Sequence, residues 1–212
     1  EKITVREHSI WKMPKTKTKI MVNVESPDIA FETSFLTVEG VGLAREEFII
    51  ASQIGIHPMA LLEYEKLSFS LQRRITEKTA GWKDRVQFYV DNLAFGVAKI
   101  GAAFYTNPVI VRFSDFKTNE YRTLLGGEAY EPKEENPMLG WRGASRYYDP
   151  KFLQAFILEC KAIRKARSEM GLMNIVPMIP FCRTPEEGRK VIQIMAKYGL
   201  DRRRDRSLKV YV

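Results

Sequence analysis

Short apolar runs of strand length alternate along this chain with longer segments whose apolar residues recur at helical spacing, and that alternation predicts strand-helix units feeding a parallel sheet. The first strand is predicted at 19–24, "KIMVNV", and a short helix follows in "SPDIAFETSFL", with Ser26 as its cap and Pro27 in its first turn. A second strand falls at 40–44, "GVGLA". Two amphipathic helices come next, "MALLEYEKLSFSLQRRI" and "WKDRVQFYVDNLAFGVAKIGAAF", separated by a loop near Thr79, Ala80 and Gly81.

The third strand, 108–115, is the least ambiguous, because β-branched residues crowd "PVIVRFSD" and a proline opens it. A short helix in "TNEYRTLLGG" stops at paired glycines. After the special-looking stretch "NPMLGWRGASRYYDP", a helix is predicted with Asp149 as cap and Pro150 in its first position; Phe152, Phe156, Cys160 and Ile163 form its buried stripe, and Gly171 ends it. The fourth strand is predicted at 174–182. Its helix opens with a capping box, Thr184 and Glu187 around Pro185, and closes at Gly199. A fifth strand, "LKVYV", begins at Leu208.

Parallel strands need crossover helices and two covered faces, so five such units fit either an open doubly wound sheet or part of a closed barrel. Neither GxGxxG nor GxxxxGK[ST] occurs, which favours the barrel. A complete (β/α)8 TIM barrel takes about 250 residues, so the expected fold is α/β, a partial barrel holding the first five units. The chain is expected to be one partial domain over 1–212, with 1–17 as a polar leader.

Composition narrows the class. At 45 % apolar, the 212 residues can fill a core. No run approaches about 18 consecutive apolar residues, and the polar start lacks a secretory signal, so neither membrane nor export is expected. Cys160 and Cys182 lack metal-ligand spacing and read as buried free thiols in a cytoplasmic protein. The net charge of +8 raises nucleic acid as a partner, yet the basic residues concentrate in "KMPKTKTK", "CKAIRKARSEMG" and "DRRRDR", a terminus, a solvent-side helix face and a turn. A solvated surface or a small anionic substrate fits better. A non-catalytic basic module that binds nucleic acid or an acidic protein is the alternative from another class.

Working residues of a barrel sit where strands end and βα loops begin. Arg45, Arg112 and Arg142 stand at or near such places. Arg112 interrupts a run otherwise destined for burial, so it needs a partner such as Asp115 or a ligand. Arg45, followed by Glu46 and Glu47, fits a local salt bridge as well as a ligand. Around Arg142, Gly140 and Gly143 permit close backbone approach to an anion, and a tight loop with a surface arginine explains the same residues. Guanidinium forks grip carboxylate or phosphoryl oxygens in pairs, so three converging forks would suit a small phosphorylated acid. His8 and His57 have no partner at recognisable spacing and read as structural or solvent-facing. Glu39, Glu46 and Asp115 are metal candidates only in the sense that any carboxylate is, and no metal cluster is visible.

"ENPMLGWRGASRYY" resembles the signature of the C-terminal, PEP-utilizing barrel of the phosphoenolpyruvate synthase (pyruvate, water dikinase) family. "GVGLAREEF", "VIVRFSDFKTNEYRTLLGG", "MIPFCRTPEE" and "LKVYV" follow that family's order, so the resemblance covers almost the whole chain. Pyruvate, phosphate dikinase and enzyme I of the sugar phosphotransferase system carry related domains, but "SDFKTNEY" is more similar to the synthase. The resemblance implies a barrel that binds pyruvate and phosphoenolpyruvate with Mg²⁺, supplied with phosphoryl groups by a phosphohistidine domain and an ATP-grasp domain of the same enzyme. It implies that Arg45, Arg112 and Arg142 hold the substrate.

It also implies that the metal-binding glutamate and the general-acid cysteine of the family lie beyond Val212; neither Cys160 nor Cys182 matches that cysteine. The expectation is therefore the first five-eighths of a substrate barrel, with no catalytic or metal-ligating residue of its own, no turnover alone, and exposed strand edges that pair copies into a homo-oligomer.

Overall fold

Four strands pair in sequence order, all parallel: β1 (Val22–Val24), β2 (Val41–Arg45), β3 (Val109–Arg112) and β4 (Ile175–Met178). The structure is a computed structural model that describes residues 3–6, 9, 13–14 and 16–212; His8 lies outside them. Val109, Ile110 and Val111 are buried, as a parallel strand covered on both faces requires. The sheet is open, an α/β arc consistent with part of a barrel, and among the described residues no helix is long and apolar enough to cross a membrane.

The helices form on the expected segments with some shifted ends. Ser26 caps a 3-10 turn that leads into α1 (Ala30–Thr33), accepting from the Asp28 amide at 3.2 Å. Directly after β2 come α2 (Glu46–Ile49) and a wider turn, Ile50–Ile54, closed by Gly55 at φ 63°. Sequence patterning missed this helix because no capping residue separates it from the strand. The long helix expected over 59–75 is two pieces, α3 (Pro58–Leu62) and α4 (Phe69–Lys78). The chain doubles back between them, where the Tyr64 carbonyl accepts from Gln72 Nε2 and its hydroxyl meets Thr76 Oγ1 at 2.8 Å. α5 (Arg85–Ala103), capped by Asp84, is the central helix. It lies so close to α2 that a Cβ on Gly96 would sit 2.6 Å from Ile49 Cγ2.

After β3 come α6 (Thr118–Thr123) and, beyond a long loop, α7 (Ala144–Tyr147). α8 (Leu153–Arg164) starts three residues later than its cap pattern suggests. Asp149 instead accepts from the Lys151 amide, making a separate turn, while Phe152 is drawn into an aromatic cluster with His57, Tyr121 and Trp141. The expected stripe of Phe152, Phe156, Cys160 and Ile163 is buried. The basic face expected to be solvated is not wholly so. Arg167 is 1 % exposed and its guanidinium donates to the carbonyls of Met173 and Ile175 and to Asp205, fastening the end of this helical region to the 205–207 turn.

α9 (Pro185–Lys197) carries its Thr184 cap, although Glu187 reaches back to the Arg183 amide rather than to that of Thr184. Both cysteines are free; Cys160 is buried and Cys182 only partly so. The fifth strand reduces to one parallel bridge, Met178 to Tyr211. The Ile179 amide donates to the Tyr211 carbonyl and the Tyr211 amide to the Pro177 carbonyl, so Pro177 faces this segment without an N–H to give. The segment lies beside β4 as expected, but its ladder stops there.

Candidate functional site

Parallel register does the first part of the assembly. Arg45 is the last residue of β2 and Arg112 the last of β3, and they are paired partners, so two cationic side chains leave neighbouring strand ends together. They open into a cavity of about 660 Å³ that Arg142 also lines. The three arginines singled out from sequence therefore share one mouth at the C-terminal edge of the sheet.

Arg112 meets Asp115 as spacing suggests, while the partners of the other two differ from those that spacing offers. Arg45 reaches back to Glu25 at 3.0 Å, not to Glu46 or Glu47, and its guanidinium lies 5.0 Å from the Phe48 ring centre. Arg112 donates to Glu47 Oε1 at 2.6 Å and stands 3.6 Å from Asp115, and its buried Nε has no hydrogen-bond partner among the described residues. Glu47 Oε1 also accepts from the Asp115 amide at 3.0 Å, so it ties the end of β3 to α2. Burial raises the Glu47 pKa in spite of Arg112.

Arg142 is buried, and most of its donors are already engaged. Nε and Nη2 meet the two Asp115 carboxylate oxygens at 3.0 and 2.8 Å, and Nη1 donates to the Met138 carbonyl at 3.3 Å. The Asp115 hydrogen bonds raise its pKa further, so its charge is permanent. The flanking glycines serve protein packing rather than an open loop. Gly143 has φ 62°, and a Cβ there would lie 2.6 Å from the Pro180 carbonyl; one on Gly140 would lie 2.4 Å from the Glu134 carboxylate. Counting Lys117, four cations line the cavity against the carboxylates of Glu47, Asp115 and Glu120, which leaves it positive overall.

The second arginine of that loop has a different task. Arg146 is fully buried, forks onto both oxygens of Glu131, and packs its guanidinium against Trp141, Tyr121 and Phe152. Glu131 also meets His57 Nε2 at 2.9 Å, while His57 Nδ1 accepts from the Met59 amide and caps α3. Nδ1 is the acceptor, so Nε2 carries the proton, and burial lowers the His57 pKa to keep the ring neutral. His57 is thus structural, as its sequence context suggests, but not solvent-facing. Its carboxylate partner lies 74 positions away, beyond any local pattern.

Beneath the cleft lies a feature that sequence reading passed over. Glu159, on the buried side of α8, accepts from both the amide and the hydroxyl of Ser114, at 3.1 and 2.6 Å. Glu46 is fully buried beside it, and among the described residues neither of its carboxyl oxygens has a hydrogen-bond partner. Two adjacent buried carboxylates cannot both ionise readily. Desolvation, then the Glu159 charge, raises Glu46 well above the usual range; desolvation lifts Glu159 to about 7. The sign in the sequence was a glutamate inside "FILECKAI", at a position where the helix otherwise turns apolar residues inward.

No three His, Cys, Asp or Glu side chains come together to hold a metal ion among the described residues, and Glu47 and Asp115, two of the carboxylates lining the cleft, are engaged by arginines. The residues present do not make a Mg²⁺ site.

Comparison with known proteins places this geometry in context. The family model described as "PEP-utilising enzyme, PEP-binding domain" matches residues 1–210. The chain is 54 % identical to a phosphoenolpyruvate synthase of Synechocystis sp. over 212 residues, covering 98 % of this chain and 26 % of that protein. It is 54 % identical to one from Deinococcus radiodurans over 198 residues, 93 % of this chain and 25 % of the relative, and 50 % identical to one from Escherichia coli over 199 residues, 94 % and 25 %. The chain thus spans about a quarter of the length of these curated relatives.

Proposed function

The chain belongs to the PEP-utilising enzyme family, as its PEP-binding domain, and from that premise we propose that it is the arginine-bearing part of the substrate site of a phosphoenolpyruvate synthase, taking pyruvate and phosphoenolpyruvate into the cleft of Arg45, Arg112 and Arg142. The observation that carries this reading is the register pairing of Arg45 with Arg112 at adjacent strand ends, with Arg142 in the same cavity.

The chemistry suits the geometry. Moving a phosphoryl group onto an enolate oxygen builds negative charge at two places, and fixed cations offset it in both. Arg45 holds only an exposed carboxylate, so it can take up ligand oxygens at small cost, whereas Arg112 would have to share or exchange the Glu47 oxygen that Nη2 holds. Arg142 must either stay on Asp115 and act through it or exchange one partner for another. In the proposed whole enzyme, the phosphohistidine and ATP-grasp domains supply the phosphoryl group, and Mg²⁺ is held by residues other than those described in this chain. Pyruvate, phosphate dikinase is the nearer alternative parent; phosphate dependence of the whole enzyme would decide it.

Titration calorimetry of phosphoenolpyruvate into the 212-residue chain tests the reading. Arg112→Ala and Arg45→Ala are expected to weaken binding by about tenfold or more each, the scale of a lost charge-assisted hydrogen bond. Arg73→Ala, an exposed i,i+4 pair with Glu77 on α4, is expected to change nothing. Equal affinity across all three variants would remove the cleft from consideration.

A further inference from the structure

The turn that follows β3 carries Asp115, the residue that holds Arg142 and stands beside Arg112. That turn is fastened from below at Ser114. Glu159 takes both its amide and its hydroxyl, the Tyr121 hydroxyl meets Ser114 Oγ at 2.6 Å, and the Tyr147 hydroxyl donates to its carbonyl at 2.6 Å. Every polar group of Ser114 therefore has a partner inside the protein, and two of those contacts end on one carboxylate.

We propose that Glu159 is a positioning residue for the arginine cleft, fixing Ser114 so that Asp115 presents Arg142 and Arg112 in one geometry, with Glu46 holding the proton that lets Glu159 remain an acceptor. The proposal rests on the reading of the cleft as a substrate site, but its first consequence does not need a substrate. Glu159 serves Ser114 best as an anion, because a carboxylate accepts both hydrogen bonds, whereas a protonated carboxyl must turn one oxygen into a donor. Glu46, kept neutral, can give its proton toward Glu159.

Most groups facing the pair stay uncharged near neutral pH. Tyr89 of α5, Tyr121 of α6, Tyr147 of α7 and Cys160 of α8 are all buried and raised well above their ordinary values, so they stay neutral near pH 7. Glu47 is the remaining carboxylate whose charge acts on Glu159, and Arg146 is the cation packed on the far side of Tyr121. The transition near pH 7 that belongs to Glu159 should thus be felt at the cleft: anionic above it, with the turn held, and neutral below it, with one hydrogen bond lost.

The test reads Arg142 directly. Its Nε–H donates to Asp115, and in a proton–nitrogen NMR spectrum of the ligand-free chain its signal is expected to shift with a midpoint near pH 7. Glu159→Gln keeps the shape but presents an NH₂ to one of the two Ser114 donors. In that variant the Arg142 signal is expected to move from its native position and lose its pH response, and phosphoenolpyruvate affinity at pH 8 is expected to fall about tenfold. Glu46→Gln leaves a permanent donor and no competing charge, so the midpoint is expected to fall below that of the parent.

Should Glu159→Gln not fold, Ser114→Ala removes the hydroxyl link alone and is expected to damp the same response. An Arg142 signal unchanged by Glu159→Gln, or by Ser114→Ala, overturns the proposal. If the signal behaves as expected and phosphoenolpyruvate fails to bind the parent chain, the substrate reading falls and the positioning role stands.

Discussion

Arg142 spends its guanidinium on the protein before any ligand arrives, and that single fact reorders the roles of the three arginines. Arg45, held only by an exposed carboxylate, is the fork with the most freedom; Arg112 is shared with Glu47, and Arg142 acts as a clamp on Asp115. Glu46 is the costly residue of the same neighbourhood. A raised carboxyl pKa means that the folded protein keeps a proton that the unfolded chain releases at the ordinary value of 4.5, so this contribution to stability is complete below pH 4.5 and is lost as pH rises through about 7 at Glu159. Glu46, raised in the same direction by burial and then by the Glu159 charge, adds to that loss as pH rises. Replacing it with an apolar residue of similar size removes the growing cost of keeping a buried carboxyl protonated as pH rises. Glu46→Leu is therefore expected to stabilise the chain by about 1–3 kcal/mol at pH 8, and by less at pH 5.5. Urea denaturation at the two pH values measures it; a variant less stable than the parent at pH 8 contradicts the account.

At the scale of elements, the sheet was legible where the sequence carries periodicity and illegible where it carries partners. β-branched "VIVR" announced β3, and the Phe152, Phe156, Cys160, Ile163 stripe announced α8, because burial on a fixed period leaves its trace in neighbouring letters. The break between α3 and α4 left none, since it depends on Tyr64 meeting Gln72 and Thr76 from an adjoining turn. The same holds for the site. Three arginines at or near strand ends could be read off, yet Glu25, Glu47 and Asp115 could not be assigned to Arg45, Arg112 and Arg142, because those pairings span 20, 65 and 27 positions. Arg167 looked like one more surface cation for that reason.

Pro177 shows an element-scale constraint that can be altered. Valine there would restore an N–H toward the carbonyl of Lys209, so Pro177→Val is expected to extend the bridge at Tyr211 into a longer ladder and slow amide exchange over 209–211 by about tenfold, the worth of roughly one added backbone hydrogen bond. Exchange rates no slower than those of the parent would show that something else ends the pairing.

For the molecule as a whole, the net charge of +8 has its consequence where the sheet gathers cations at one edge. Parallel pairing puts the ends of successive strands on the same side, so the fold itself collects Arg45 and Arg112, and the loop tied down by Arg146 and Glu131 brings Arg142 to join them. The most direct measurement of this account is a crystal structure of the chain grown with phosphoenolpyruvate. The expected result is ligand density between Arg45 and Arg112, with acidic oxygens about 3 Å from both guanidinium groups and Arg142 in contact with the ligand or still clasping Asp115. Ligand bound on another face, with Arg112 left on Glu47 and the cleft empty at saturating concentration, would contradict it.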